Sequence, residues 1–116
     1  MERIAIFSDI HANLTALEAV LDDISKRKID RIMCLGDLVY KGVSPAEVID
    51  LVKEKCEIVL RGNCDAYIGN RDALEKKYWT RLKIGEERAE YLHNLPIFHE
   101  FYLSRPSSKT ISCFSN

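Results

Sequence analysis

Three short apolar runs, each followed by a polar turn and divided from the next by a stretch of helical periodicity, leave this chain few folds to choose from. The runs are Arg3 to Ser8 (RIAIFS), Asp30 to Leu35 (DRIMCL) and Glu57 to Leu60 (EIVL). Runs this short and this continuously apolar have the form of strands buried on both faces of a parallel sheet. Between the first two, Leu14, Leu17, Val20, Leu21 and Ile24 recur at helical spacing, with Glu18, Asp22, Asp23 and Lys26 on the wet face. Between the second and third, Ser44-Pro45-Ala46-Glu47 reads as a helix start. Serine is the cap, proline takes the first helical position and glutamate completes a capping box. Val48, Ile49, Leu51 and Val52 then supply an apolar face. The order strand–helix–strand–helix–strand implies an α/β fold with parallel strands and right-handed crossovers.

Downstream, residues 66–94 are mostly helical in pattern and charged, and read as two helices broken near Ile84-Gly85. Leu74, Tyr78, Leu82, Ala89 and Leu92 are the expected inward residues. Leu95-Pro96 ends the helical stretch, because the residue before proline is pushed out of helical geometry. Ile97 to Leu103 reads as a fourth strand, and the serine-rich tail RPSSKTISCFSN shows no period and is expected to be irregular.

The chemistry-bearing residues fall directly after the three strands, in Ser8-Asp9-Ile10-His11, Leu35-Gly36-Asp37-Leu38 and Arg61-Gly62-Asn63-Cys64-Asp65. In a parallel α/β sheet the turns at the carboxyl ends of the strands converge, and ligands bind there. Converged, these turns bring together two carboxylates, an imidazole and a carboxamide oxygen. Such a hard oxygen and nitrogen set suits Mn²⁺, Fe or Zn²⁺. Taken singly, Asp37 reads as an Asx-turn residue and Asn63 as a turn former. The signal lies in all three turns occurring in order, each at a strand end.

The ordered motifs Asp9-x-His11, Gly36-Asp37 and Gly62-Asn63-Cys64-Asp65, with the run IAIFSDIHANLTALEAVL, resemble the calcineurin-like metallophosphoesterase superfamily, in particular its bacterial phosphodiesterase and diadenosine-tetraphosphatase-like branch. The resemblance extends from about Arg3 to about Leu103. It implies the N-terminal part of a two-sheet sandwich flanked by helices, in the order β-α-β-α-β-α-β. It also implies phosphoester hydrolysis by a metal-activated water at two divalent ions (Mn, Fe or Zn). Asp9 and His11 would bind the first ion, Asp37 would bridge, and Asn63 would bind the second. Cys64 replaces the histidine that the family often uses as general acid, and with Arg61 and Asp65 of the same turn it forms the expected catalytic set. A cysteine there favours substrates with good leaving groups, such as aryl or nucleotide phosphodiesters, which need less protonation.

The family completes its site with a further histidine and a Gly-His-x-His segment, and neither occurs in these 116 residues. His93, near a helix end, and His99, within a strand, are read as structural. The expectation is therefore a truncated domain over residues 1–103 and an irregular tail over 104–116, retaining one ion or none and weak or inactive alone. The rival reading is a non-catalytic α/β module that holds one ion weakly or needs a partner chain. A nucleotide-binding domain is disfavoured by the lack of a Gly-x-Gly-x-x-Gly or Gly-x-x-x-x-Gly-Lys-Ser/Thr sequence. A net charge of −1 with interspersed signs offers no footprint for nucleic acid or anionic membrane. No apolar run is long enough to span a bilayer, and four scattered cysteines suit a cytoplasmic protein. One face of Ile4, Ile6, Ile32, Cys34, Ile58 and Leu60 is expected to lack cover and to favour self-association.

Overall fold

The computed structural model describes residues 2–69, 75–102 and 110–114. Strands β1 (Ile4–Phe7), β2 (Arg31–Cys34) and β3 (Ile58–Val59) form a parallel sheet in the order β1-β2-β3, linked by helices α1 (Leu14–Ser25) and α2 (Pro45–Lys55). Helices α3 (Asn63–Gly69) and α4 (Glu75–His93) follow, and β4 (Phe98–Tyr102) pairs antiparallel with β5 (Thr110–Phe114). The fold is thus mixed α/β with a helix-flanked parallel sheet, as the alternation of apolar runs requires.

Alternation along the strands assigns the two faces of the sheet. Cys34 and Val59 join Leu17, Val48, Ile49, Val52, Ala89 and Leu92 in a core on the helical side. Met33 and Leu60 turn the other way, onto Phe101 and Cys113 of the hairpin. The guanidinium of Arg31 lies 4.4 Å from the centroid of Phe101 and ties the hairpin to the central strand. The hairpin is thus a second sheet packed on the first. This corrects two expectations. Residues 110–114 of the supposedly irregular tail are a strand, because Phe98↔Phe114 through Tyr102↔Thr110 satisfy one another's backbone. Of the sheet residues expected to lack cover, Cys34 and Leu60 are fully buried, and Ile6 is the one that stands exposed.

Local details also differ. Asn13 caps α1, its Oδ1 accepting from Ala16 N at 3.1 Å, a cap the periodicity does not reveal. Ser44 makes no side-chain cap bond; its own N–H donates to Ala12 O at 3.0 Å, so the residue serves the tertiary structure instead. The break expected near Ile84-Gly85 falls at Gly85 (φ 81°, ψ 169°). Before the break the buried face runs through Thr80 and Ile84, four residues apart, so Ile84 is buried where Leu82 was expected and Leu82 stands exposed. Leu74 and Leu103 lie outside the described residues.

Candidate metal centre

The site is assembled by backbone hydrogen bonds that continue beyond the strand ends. Asp9 N donates to Gly36 O (3.1 Å), His11 N to Asp37 O (3.0 Å) and Ala12 N to Leu38 O (2.7 Å). These bonds lay the first turn alongside the second. They hold Asp9 (φ 62°), His11 (49°), Ala12 (58°) and Asp37 (58°) in the left-handed region. Non-glycine residues there cost about 1 kcal/mol or more each, and such strain concentrates at functional sites.

The second turn is locked to the third by contact rather than by pairing. A Cβ on Gly36 would lie 2.8 Å from Gly62 Cα, and one on Gly62 would lie 2.7 Å from Asp37 Cγ. Glycine at both positions is therefore a packing requirement. Asp65, fully buried, closes the junction. Its Oδ2 accepts from Asp37 N (2.7 Å) and Gly62 N (2.9 Å), and its Oδ1 from Leu38 N (2.8 Å) and Val39 N (3.4 Å). Burial pushes this carboxyl up to about 6, against the pull of the N–H donors from Gly62, Leu38 and Asp37. It therefore stays ionised at neutral pH.

Within this frame one ligand atom each from Asp9, His11 and Asp37 lies within 4.8 Å of the others. His11 Nε2 is 3.6 Å from Asp9 Oδ1, and Ser8 Oγ donates to Asp9 Oδ2 at 2.6 Å. Asp37 is buried and its Oδ1 accepts from Cys64 N at 3.0 Å. His11 Nδ1 is buried and has no hydrogen-bond partner. Two carboxylates and an imidazole nitrogen gathered this closely fit a divalent cation, with hard oxygen and nitrogen donors from three side chains.

Asn63 sits between Gly62 and Cys64, both of which touch Asp37, so its backbone lies next to the turn that carries Asp37. The three expected catalytic residues are placed differently from one another. Cys64 is half-buried, and burial first, then Asp37 and Asp65, raise its thiol above the ordinary value. Arg61 turns away: its Nη1 donates to His93 O at 2.9 Å and its N–H to Pro96 O at 2.7 Å, stapling β3 to the end of α4. The carboxylate of Asp65 is taken up by backbone N–H groups, so it braces Asp37. Asn63, Cys64 and Asp65 form the first turn of α3. That helical start explains why neighbours in sequence face different surroundings. Sequence reasoning passed over Lys41, which lines an open groove together with Asp9 and His11.

Residues 2–114 match the calcineurin-like phosphoesterase family over nearly the whole chain, and the protein belongs to that family. It is 39% identical over 105 residues to an uncharacterized protein, MJ0912, of Methanocaldococcus jannaschii, covering 84% of this chain and 43% of that one. Its fold matches a metallophosphoesterase from Sphaerobacter thermophilus with a TM-score of 0.72 and 40% identity, over 84% of this chain and 43% of the other. A candidate diadenosine tetraphosphatase matches with a TM-score of 0.70 and 28% identity, over 84% of this chain and 44% of that one. The chain thus spans less than half the length of these relatives. No helix among the described residues is long and apolar enough to cross a membrane.

Proposed function

We propose that this chain carries the leading metal-ligand set of a metal-dependent phosphoester hydrolase, with Asp9, His11, Asp37 and Asn63 as ligands. The observation that carries the reading is the convergence of Asp9, His11 and Asp37, one ligand atom from each lying within 4.8 Å of the others, with His11 Nε2 3.6 Å from Asp9 Oδ1. Bound there, a divalent ion would supply Lewis-acid polarisation of the phosphoryl oxygens and activation of an attacking water.

The chain's own residues organise the site in advance. Cys64 N–H fixes Asp37 Oδ1, leaving the rest of that carboxylate for bridging. Asp65 and Gly62 hold the Asp37 backbone, so little reorganisation remains when an ion enters. The Cys64 thiol, raised in pKa, stays protonated at neutral pH beside the site. As an acid it is weaker than an imidazolium, which favours aryl or nucleotide phosphodiesters. The likeness to a candidate diadenosine tetraphosphatase supports a nucleotide substrate. Among the described residues this is the one cluster of three such side chains, so a first ion binds with open positions and a second more weakly. Turnover by this chain alone is accordingly slow. Four free thiols support placement in the cytoplasm.

Calorimetric titration of the chain with Mn²⁺, paired with hydrolysis of an aryl phosphodiester, tests the proposal. At least one ion should bind, and Asp37→Asn should abolish both binding and any turnover. Mn²⁺ binding that survives Asp37→Asn unchanged would place the metal elsewhere.

A further inference from the structure

A groove of about 620 Å³ is lined by Asp9 and His11 of the first turn together with Lys41, Gly42 and Val43. Lys41 is the only lysine or arginine among the described residues that line it. It is exposed, and no ion pair among the described residues includes it, although the carboxylate of Asp9 lines the same groove. Its backbone is held rigidly. Tyr40 and Lys41 are consecutive non-glycine residues in left-handed geometry (φ 82° and 78°). On one side the Tyr40 ring packs edge-on against Tyr67 of α3, with centroids 5.9 Å apart. On the other, Gly42 is pressed against the His11–Ala12 backbone so closely that a Cβ would lie 2.7 Å from Ala12 C. Ser44 N closes the loop onto Ala12 O at 3.0 Å. Lys41 thus stands between an anchor on the first turn and an anchor on the helix that follows the third.

We infer that Lys41 is a specificity-determining residue that binds the anionic phosphate adjacent to the one being hydrolysed, so that the groove selects phosphoanhydride-containing substrates over esters with a neutral leaving group. The inference rests on the metal-centre reading above. A strained backbone that presents one unpaired cation beside an acidic metal site makes sense when the cation has its own anionic partner. An ion held by Asp9, His11 and Asp37 would offset their carboxylate charge and would supply a binding point for the reacting phosphoryl group. A phosphate next to the reacting one would then occupy the groove that Lys41 lines, where an ammonium can pair with it.

The test uses the full chain, Lys41→Asn and Lys41→Arg; asparagine tolerates left-handed geometry, so the loop is kept. Mn²⁺ affinity is measured first by calorimetry, then binding of inorganic phosphate and of pyrophosphate to the Mn²⁺-loaded protein. Wild type should bind pyrophosphate more tightly than phosphate. Lys41→Asn should lose about tenfold in pyrophosphate affinity while phosphate and Mn²⁺ binding stay unchanged, and Lys41→Arg should restore most of it. Equal loss for both anions, or no loss, overturns the inference while leaving the metal centre intact. Failure of the wild type to bind Mn²⁺ overturns the metal centre and this inference together. A hydrolytic comparison of a nucleoside polyphosphate with an aryl phosphodiester should show the same selectivity in KM rather than kcat.

Discussion

Replacing Gly62 with alanine tests whether contact between the second and third turns, rather than strand pairing, holds the metal centre in shape. The added Cβ would overlap Asp37 N and Oδ1 and lie 2.7 Å from Asp37 Cγ. An ordinary carbon–carbon contact needs about 3.5 Å, so the turns must part by about 0.8 Å. A shift of that size stretches the bond from Asp37 N to Asp65 Oδ2 from 2.7 Å to beyond hydrogen-bonding range, and the bond from Cys64 N to Asp37 Oδ1 starts at 3.0 Å. Two hydrogen bonds to charged groups are worth about 1.5–3 kcal/mol each, and the stiffer unfolded chain returns about 0.4–1 kcal/mol. The net loss is about 2–5.5 kcal/mol, a large part of the 5–15 kcal/mol typical of a domain. Gly85→Ala is the comparison. Gly85 has φ 81°, and a methyl added there would meet nothing within 4 Å, so its cost of about 1–3 kcal/mol is backbone strain alone and does not touch the site. Urea unfolding followed by circular dichroism measures both losses, and Mn²⁺ calorimetry separates them: affinity should collapse in Gly62→Ala and persist in Gly85→Ala. A Gly62→Ala protein within about 1 kcal/mol of wild type and with unaltered Mn²⁺ affinity would refute the reasoning.

Asp65→Ala leaves the backbone N–H groups of Asp37, Leu38 and Gly62 without their acceptor, and should cost about 3–5 kcal/mol in urea unfolding together with metal affinity. Asp37→Asn should weaken Mn²⁺ binding more than Asn63→Ala, since it removes charge and not only a neutral oxygen; equal affinities in calorimetry would count against a bridging role. Burial pushes the Cys34 and Cys56 thiols up to about 12, so mass spectrometry after brief iodoacetamide treatment at pH 8 should find both unlabelled in folded protein and labelled in urea. Arg88 holds the Asp50 carboxyl below its ordinary value, so the pair contributes stability above about pH 4 that is lost as pH falls through the lowered value. Both groups are largely exposed, so Asp50→Asn should cost only about 0.5 kcal/mol at pH 7 and nothing below the transition.

Periodicity was enough to locate β1, β2, α1 and α2, because each buries its own apolar residues and so writes its period into the sequence. Placing Asp9, His11 and Asp37 at strand ends was enough to bring them together, because the carboxyl ends of parallel strands share one edge. Local pattern could not disclose what depends on a distant partner. Strand β5 exists only through its pairing with β4, and its own residues carry no period. Three residues of one short motif meet three fates: Cys64 borders the site, Asp65 binds the backbone of another turn, and Arg61 reaches the carbonyl of a residue 32 positions away. Lys41 is one surface lysine among many until the packing of Tyr40 and Gly42 brings its loop to the groove that Asp9 and His11 also line. Which residues form elements is a matter of short-range sterics and burial, carried by neighbours in the chain. Which side chain serves the site and which braces it depends on hydrogen-bond partners that only folding brings near.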